Sequence, residues 1–216
     1  MKLHWSPRSP FVRKVMIFVH ETDLVDRVEK IRSVTNMLRP NLDLMQWNPW
    51  SKIPTLVTDE GRVLFDSDVI CEYLDEQHRG RKLLPVDTEL RWPALRWRAF
   101  GGEMLDVLIL WRNERERPPE RQLPQLIEAF SLKLSTGLAF LEREAEELMA
   151  APFSVGHIAI GCALGYLEWR FADHVWRTAH PRLAGWYNGF KQRPSVIATE
   201  PIDDSPRRNA AGKRTN

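Results

Sequence analysis

Lys52-Ile53-Pro54-Thr55-Leu56-Val57 is the stretch on which the fold turns. Thr55-Leu56-Val57 has the β-branched and apolar character of a short strand, and a proline stands directly before it. Proline donates no ladder hydrogen bond, so it belongs at a strand's start, at an edge or at a bulge. Fixed there, it is a candidate for a cis X-Pro bond, the form that about 5% of such bonds take in folded proteins, typically in tight turns. Such a turn leaves the Ile53 N–H and C=O free to pair with a peptide-like ligand. Two other stretches give this reading weight: Ser9-Pro10-Phe11-Val12-Arg13 upstream and Asp66-Ser67 downstream.

Outward from that strand, the first part of the chain alternates strands and helices. Lys2-Leu3-His4-Trp5 is a short strand. Ser9 and Pro10 suit the N-cap and first position of a helix running to about Glu21. Residues 25–31 alternate weakly, as a second strand does. Residues 55–57 and 63–65 form a hairpin around Asp59-Glu60-Gly61. Ser67 is placed as the N-cap of a helix carrying Val69, Ile70, Tyr73 and Leu74 and ending near Gly80. A crossover followed by a hairpin demands a mixed, four-stranded sheet. From Asp87 onward no strand signal occurs, and helical patterns run over 88–116, 120–149, 154–175 and 182–192. The fold class is therefore α/β plus all-α: an N-terminal domain over 1–79, a connection at 79–85, an all-helical domain over 87–201 and a flexible tail over 202–216.

The bulk properties exclude several classes. The 216 residues, 43% hydrophobic and 28% charged, suit a soluble globular chain. A formal charge of +2 argues against nucleic acid or an anionic membrane as the main partner. The longest apolar run, near Val107–Trp111, is too short to span a bilayer. The first residues lack the apolar core of a signal peptide, which gives a cytoplasmic expectation. Cys71 and Cys162 have no metal-type or CxxC spacing and are expected as buried, reduced thiols. The six histidines show no ligand spacing, so no metal is expected. Of nine tryptophans, six lie beyond residue 90, which places a core or cleft lined with large rings in the second half.

Three stretches carry the chemistry. At a helix start, backbone N–H groups and the helix dipole favour an anion. The Ser9 hydroxyl placed there could hydrogen-bond a thiolate and lower its pKa, or simply cap the helix; Ser6 is a second hydroxyl in the same turn, and Arg8 and Arg13 add positive potential. A ligand carboxylate could dock on Ser67 and the exposed N–H groups, while Asp66 pairs with a ligand ammonium. An amino-acid head at Asp66-Ser67, a peptide bond at Ile53 before Pro54 and a thiol at Ser9 together outline glutathione.

The same residues carry a family likeness. Ser9-Pro10-Phe11-Val12-Arg13-Lys14, Asn48-Pro49 ahead of Lys52-Ile53-Pro54-Thr55-Leu56, and Phe65-Asp66-Ser67 with Ile70 and Tyr73-Leu74 resemble the cytosolic glutathione S-transferases, in particular bacterial members with serine at the activating position. Ser154 to Phe171 is similar to the family's buried helix, and His180-Pro181-Arg182-Leu183, Trp186-Tyr187 and Arg193-Pro194-Ser195 to its closing helices. The likeness spans about residues 1–201. It implies a thioredoxin-like N-terminal domain, a helical C-terminal domain and a homodimer. It implies glutathione as co-substrate held by Lys52, Ile53, Pro54, Asp66 and Ser67, with Lys52 at the glycine carboxylate and Ser9 as thiolate stabiliser. The second substrate would be a small hydrophobic electrophile in an interdomain cleft, with Phe11, Met104, Leu108, Trp111 and Trp169 as candidate walls; ordinary helix packing would give Met104, Leu108 and Trp111 the same spacing. Two other functions remain open: a non-catalytic binding protein on this fold, and a glutathione-dependent dehalogenase, lyase or isomerase. One departure concerns the buried helix, where His157 stands three residues after Ser154 in place of the acidic partner of a capping box, and a weaker cap is expected.

Overall fold

The computed structural model describes residues 1–204. The N-terminal part holds β1 (Lys2–Trp5), α1 (Pro10–Glu21), β2 (Glu29–Arg32), α2 (Leu42–Met45), β3 (Thr55–Val57), β4 (Val63–Leu64) and α3 (Ser67–Glu76). Its sheet has the order β2-β1-β3-β4. β1 runs parallel to β2, with Leu3 beside Lys30, and antiparallel to β3, with Leu3 beside Leu56. β3 and β4 form the expected hairpin, Leu56 facing Leu64. Gly61 takes a positive φ of 81° in its turn, a conformation that glycine adopts without a Cβ clash. This mixed sheet with α1 and α3 packed on it is the thioredoxin-like arrangement.

The remainder is helical: α4 (Thr88–Arg115), α5 (Pro124–Ala150), α6 (Val155–Arg170), α7 (Pro181–Lys191) and α8 (Pro194–Ile197). Every residue of α6 from Val155 to Leu167 is buried, as an element that is apolar all round must be. α6 lies against α4 on one side and α1 on the other, which locks the two parts of the chain together. The closeness of α4 and α6 depends on small residues. A Cβ on Gly101 would stand 2.5 Å from the Ala159 carbonyl carbon, and one on Gly156 would stand 2.6 Å from the Ala94 oxygen.

Several boundaries differ from the sequence reading. The strand expected over 25–31 begins only at Glu29, because Val25–Arg27 forms a 3-10 turn. The resulting strand is short and mostly exposed, so it has no buried face to set a strong alternation. The helix expected from 120 starts at Pro124, which takes its first position, and Pro119–Arg121 is a separate 3-10 turn. The helix expected to reach 175 ends at Arg170: Phe171 leaves it at φ −130° and buries its ring against Trp111, centroids 5.1 Å apart. The connection at 79–85 is anchored at its far end. The Asp75 carboxylate accepts the N–H groups of Leu83 and Leu84 at 3.0 and 3.1 Å, and the Leu83 carbonyl accepts Val155 N–H at 2.9 Å. Of the tail expected over 202–216, residues 205–216 lie outside the described residues, whereas Ile202 N–H bonds the Pro7 carbonyl at 3.4 Å.

His157 completes the capping box without an acid. Its Nδ1 accepts Ser154 N–H at 3.1 Å, while Nε2 bonds the Leu148 carbonyl at 3.0 Å. An imidazole that accepts at one nitrogen and donates at the other is neutral, and burial holds its pKa below the ordinary value. Both thiols are buried and outside any disulfide; burial raises both, Cys162 to about 11.

Candidate active site

Sheet register brings the three sequence stretches to one place. His4 faces Thr55 in the antiparallel β1–β3 pair, so the chain leaving β1 toward Ser9 and the chain entering β3 through Ile53-Pro54 meet at the same end of the sheet. β4 leaves its pairing at Leu64, opposite Leu56, so the chain passes into α3 through Asp66 at the end of the sheet where β3 begins. Ile53–Pro54 is cis, as the sequence reading anticipated.

The Pro54 turn is held from behind by Asn48. This side chain is 1% exposed and donates through Nδ2 to the Lys52 carbonyl at 3.2 Å and to Thr55 Oγ1 at 3.0 Å. Thr55 Oγ1 in turn donates to the Lys52 carbonyl at 2.9 Å. With these bonds the turn needs nothing from the Ile53 peptide groups. The sequence singled out Asn48 only through family likeness; its physical sign was a lone amide seven residues before a strand, a separation that no local pattern flags.

Ser9 is the N-cap of α1, and its Oγ accepts Val12 N–H at 3.2 Å. Capping and donation are compatible, because a hydroxyl carries one donor proton besides its two acceptor lone pairs. Ser9 is partly exposed, whereas Ser6 is buried and its Oγ faces the Arg8 N–H at 3.4 Å. Of the two hydroxyls in this turn, Ser9 is thus the more exposed.

At the third stretch the cap shifts by one residue from expectation. Asp66, not Ser67, is the N-cap of α3, its Oδ1 accepting Asp68 N–H at 2.6 Å and Ser67 Oγ at 3.3 Å. Aspartate and serine cap about equally well, so adjacent candidates are not separable by propensity. Asp66 is exposed and Ser67 is buried in the first turn. Behind this turn, buried Lys14 of α1 pairs with Asp68, and Arg98 of α4 approaches the other Asp68 oxygen at 3.6 Å while bonding Glu72 at 2.6 Å. Three helices are thereby fixed around the Asp66 turn.

Asp106 of α4 is an acid that the sequence reading did not single out. Burial raises its pKa; the positive charges of Lys52 and Lys14 oppose that rise, and the negative charge of Asp66 adds to it. The charges that act on Asp106 thus include two from the N-terminal part of the proposed site, Lys52 and Asp66. No local spacing flags one acid in a long amphipathic helix.

The candidate electrophile residues divide. Phe11 is partly buried with the Lys14 ammonium 5.7 Å from its ring centroid, and Trp169 is partly exposed with Arg170 over its ring. Met104 and Trp111 are each 7% exposed and Leu108 is fully enclosed. Trp111 packs against Phe130 and Phe171 inside the helical domain. Between the Ser9 turn and α6 a cavity of about 10 Å³ is lined by Ser9, Arg13, Cys162, Tyr166, Trp169 and Pro201, among others. Among the described residues there is no cluster of metal-ligating side chains, and no helix is long and apolar enough to cross a membrane.

A thioredoxin-like sheet joined to an all-helical domain defines a class, and comparison with known proteins names it. The glutathione S-transferase N-terminal domain model matches residues 8–77 and the C-terminal domain model residues 124–189. The chain belongs to the glutathione S-transferase family. It is 31% identical over 205 residues to the uncharacterised GST-like protein YibF of Escherichia coli K12, across 93% of this chain and 98% of that one. It superposes with TM-score 0.90 and 42% identity on a glutathione transferase family member of Pseudomonas fluorescens Pf-5 with bound glutathione, covering 93% of this chain and 98% of that one. A second structure from that organism, holding S-(propanoic acid)-glutathione, matches with TM-score 0.86 and 41% identity over the same shares.

Proposed function

We propose that the protein is a cytoplasmic glutathione S-transferase that ionises the glutathione thiol at Ser9 and directs it at a small apolar electrophile. The observation that carries this reading is the convergence of Ser9, the Ile53–Pro54 turn and Asp66-Ser67 at one end of the sheet. The bound glutathione and glutathione conjugate of the Pseudomonas structures support it.

In this reading Asp66 pairs with the γ-glutamyl ammonium, and Ser67 with the first amides of α3 receives the neighbouring carboxylate. The Ile53 peptide pairs with the cysteinyl backbone, and Lys52 reaches the glycine carboxylate. The thiol gives its proton to solvent, and the Ser9 O–H donates to the resulting sulfur anion while the N-terminus of α1 adds its dipole. A thiol pKa lowered by about 2 units corresponds to about 2.7 kcal/mol. The thiolate then forms a carbon–sulfur bond, expelling a leaving group with its electron pair in substitution, or pushing a π pair onto a carbon that solvent protonates in addition, assisted by proximity. Phe11 and Trp169 border the electrophile, with Met104, Leu108 and Trp111 as the packed wall behind them. The protein acts as a homodimer, an assembly for which exposed Phe65, Val69 and Trp92 supply apolar surface.

Retention on immobilised glutathione, a thiolate absorbance near 240 nm on binding, and turnover of 1-chloro-2,4-dinitrobenzene test the reading together. Binding without thiolate absorbance or turnover would replace the enzyme with a glutathione-binding protein. Sedimentation velocity reads the dimer.

A further inference from the structure

Three arginines from three separate elements converge on two consecutive carboxylates beside the Ser9 turn. Arg8 Nε lies 2.9 Å from Asp204 Oδ1. Arg32, at the end of β2, reaches Asp204 Oδ2 through Nε at 2.8 Å and through its terminal nitrogen at 2.6 Å. Arg170, at the end of α6, donates to Asp203 Oδ2 at 3.0 Å, and its guanidinium carbon sits 3.5 Å from the Trp169 ring centroid. Arg8 directly precedes Ser9, and Arg8, Ser9, Trp169 and Pro201 border the same cavity.

Three guanidinium groups gathered on one short segment concentrate positive charge there. Their planar forks suit a carboxylate, which they can engage at both oxygens. Asp204 is shared between two of them, Arg8 on Oδ1 and Arg32 through two nitrogens on Oδ2.

We infer that Arg8, Arg32 and Arg170 form a carboxylate subsite for the second substrate, that the electrophile therefore bears a carboxylate, and that Asp203 and Asp204 occupy the subsite until it binds. This rests on the transferase reading and adds a carboxylate to the otherwise apolar electrophile that it names. A substrate carboxylate takes the place of Asp204 between Arg8 and Arg32, so these two arginines keep a counter-charge throughout. A neutral electrophile has no such group to exchange and must compete with both aspartates.

The test measures, by calorimetry on the full chain, the binding of S-methylglutathione, S-(carboxymethyl)glutathione and S-(carbamoylmethyl)glutathione. The last two are nearly isosteric and differ in charge where the electrophile would stand. The carboxymethyl derivative is expected to bind about tenfold more tightly than the carbamoylmethyl one. That preference should vanish in Arg8→Gln and Arg170→Gln and grow in the Asp203→Asn/Asp204→Asn double variant. A wild-type ratio near one, or a preference unaltered in all these variants, overturns the subsite while S-methylglutathione binding upholds the glutathione site. If S-methylglutathione fails to bind the wild type, both readings fall.

Discussion

The Ser9 hydroxyl accepts the Val12 amide hydrogen at 3.2 Å, so the residue that begins α1 keeps its own O–H proton for a ligand. Cap and thiolate donor are two uses of one oxygen, and replacement should expose both. Ser9→Ala is expected to lower kcat about 100-fold, the lower end for losing one donor to a developing anion. It should also lower stability by about 1 kcal/mol through the lost cap, and leave glutathione affinity within a few-fold. Ser9→Asp restores the cap without restoring a donor proton, so its melting temperature should recover and its turnover should not. Unchanged turnover in the alanine variant removes Ser9 from the mechanism.

Asp66 offers a cleaner separation of structure from binding. Asparagine caps helices about as well as aspartate, so Asp66→Asn should fold and melt like the wild type. It removes the charge proposed to face the γ-glutamyl ammonium. Glutathione should bind about tenfold more weakly, the scale of one charge-assisted hydrogen bond. A glutathione analogue lacking the amino group should lose little. Equal losses for both ligands would place the ammonium elsewhere.

Much of this site was legible because its parts are punctuated locally. Pro54 before a strand, Ser9 before Pro10, and an Asp-Ser pair before an apolar helical run each mark a turn or cap by residue type alone. What stayed hidden depends on distance along the chain. The edge strand β2 has no buried face to advertise it. Asn48 acts through bonds to Lys52 and Thr55 that no periodicity announces. Asp106 feels the charges of Lys52 and Asp66, which lie some 40 or more residues away in the chain. The stripe of Met104, Leu108 and Trp111 shows the remaining ambiguity: helical spacing identifies a buried face without saying whether a ligand or a neighbouring helix covers it.

His157 should make the fold acid-sensitive. Its folded pKa is depressed, mainly by burial, with the nearby charges of Arg193 and Arg81 acting in the same direction and the Leu148 carbonyl opposing them. Below the unfolded value of about 6.5, the unfolded chain takes up a proton that the native chain refuses, so stability rises with pH across that window. The contribution is therefore complete above about pH 6.5 and is lost as pH falls toward the folded pKa. Protonation also turns Nδ1 from acceptor to donor and breaks the bond from Ser154 N–H. Thermal melts at pH 7.5 and 5.5 should show a smaller acid-induced drop for His157→Gln than for the wild type. Equal drops would mean that another group carries the acid sensitivity.

Adjacent glycines in α4 should respond in opposite directions to the same substitution. A Cβ on Gly101 would lie 2.5 to 2.7 Å from the backbone of Ala159 and Ile160 in α6, and backbone atoms in a fully buried helix cannot swing aside. Gly101→Ala must then push α4 and α6 apart, at an expected cost of 1–3 kcal/mol, as about one methyl of overpacking does. A Cβ on Gly102 meets nothing within 4 Å, so Gly102→Ala gains helix propensity of about 1 kcal/mol without a clash. Chemical denaturation of the two variants should bracket the wild type. A Gly101→Ala protein as stable as Gly102→Ala would show that the α4–α6 interface is not the tight seam that joins the helical domain together.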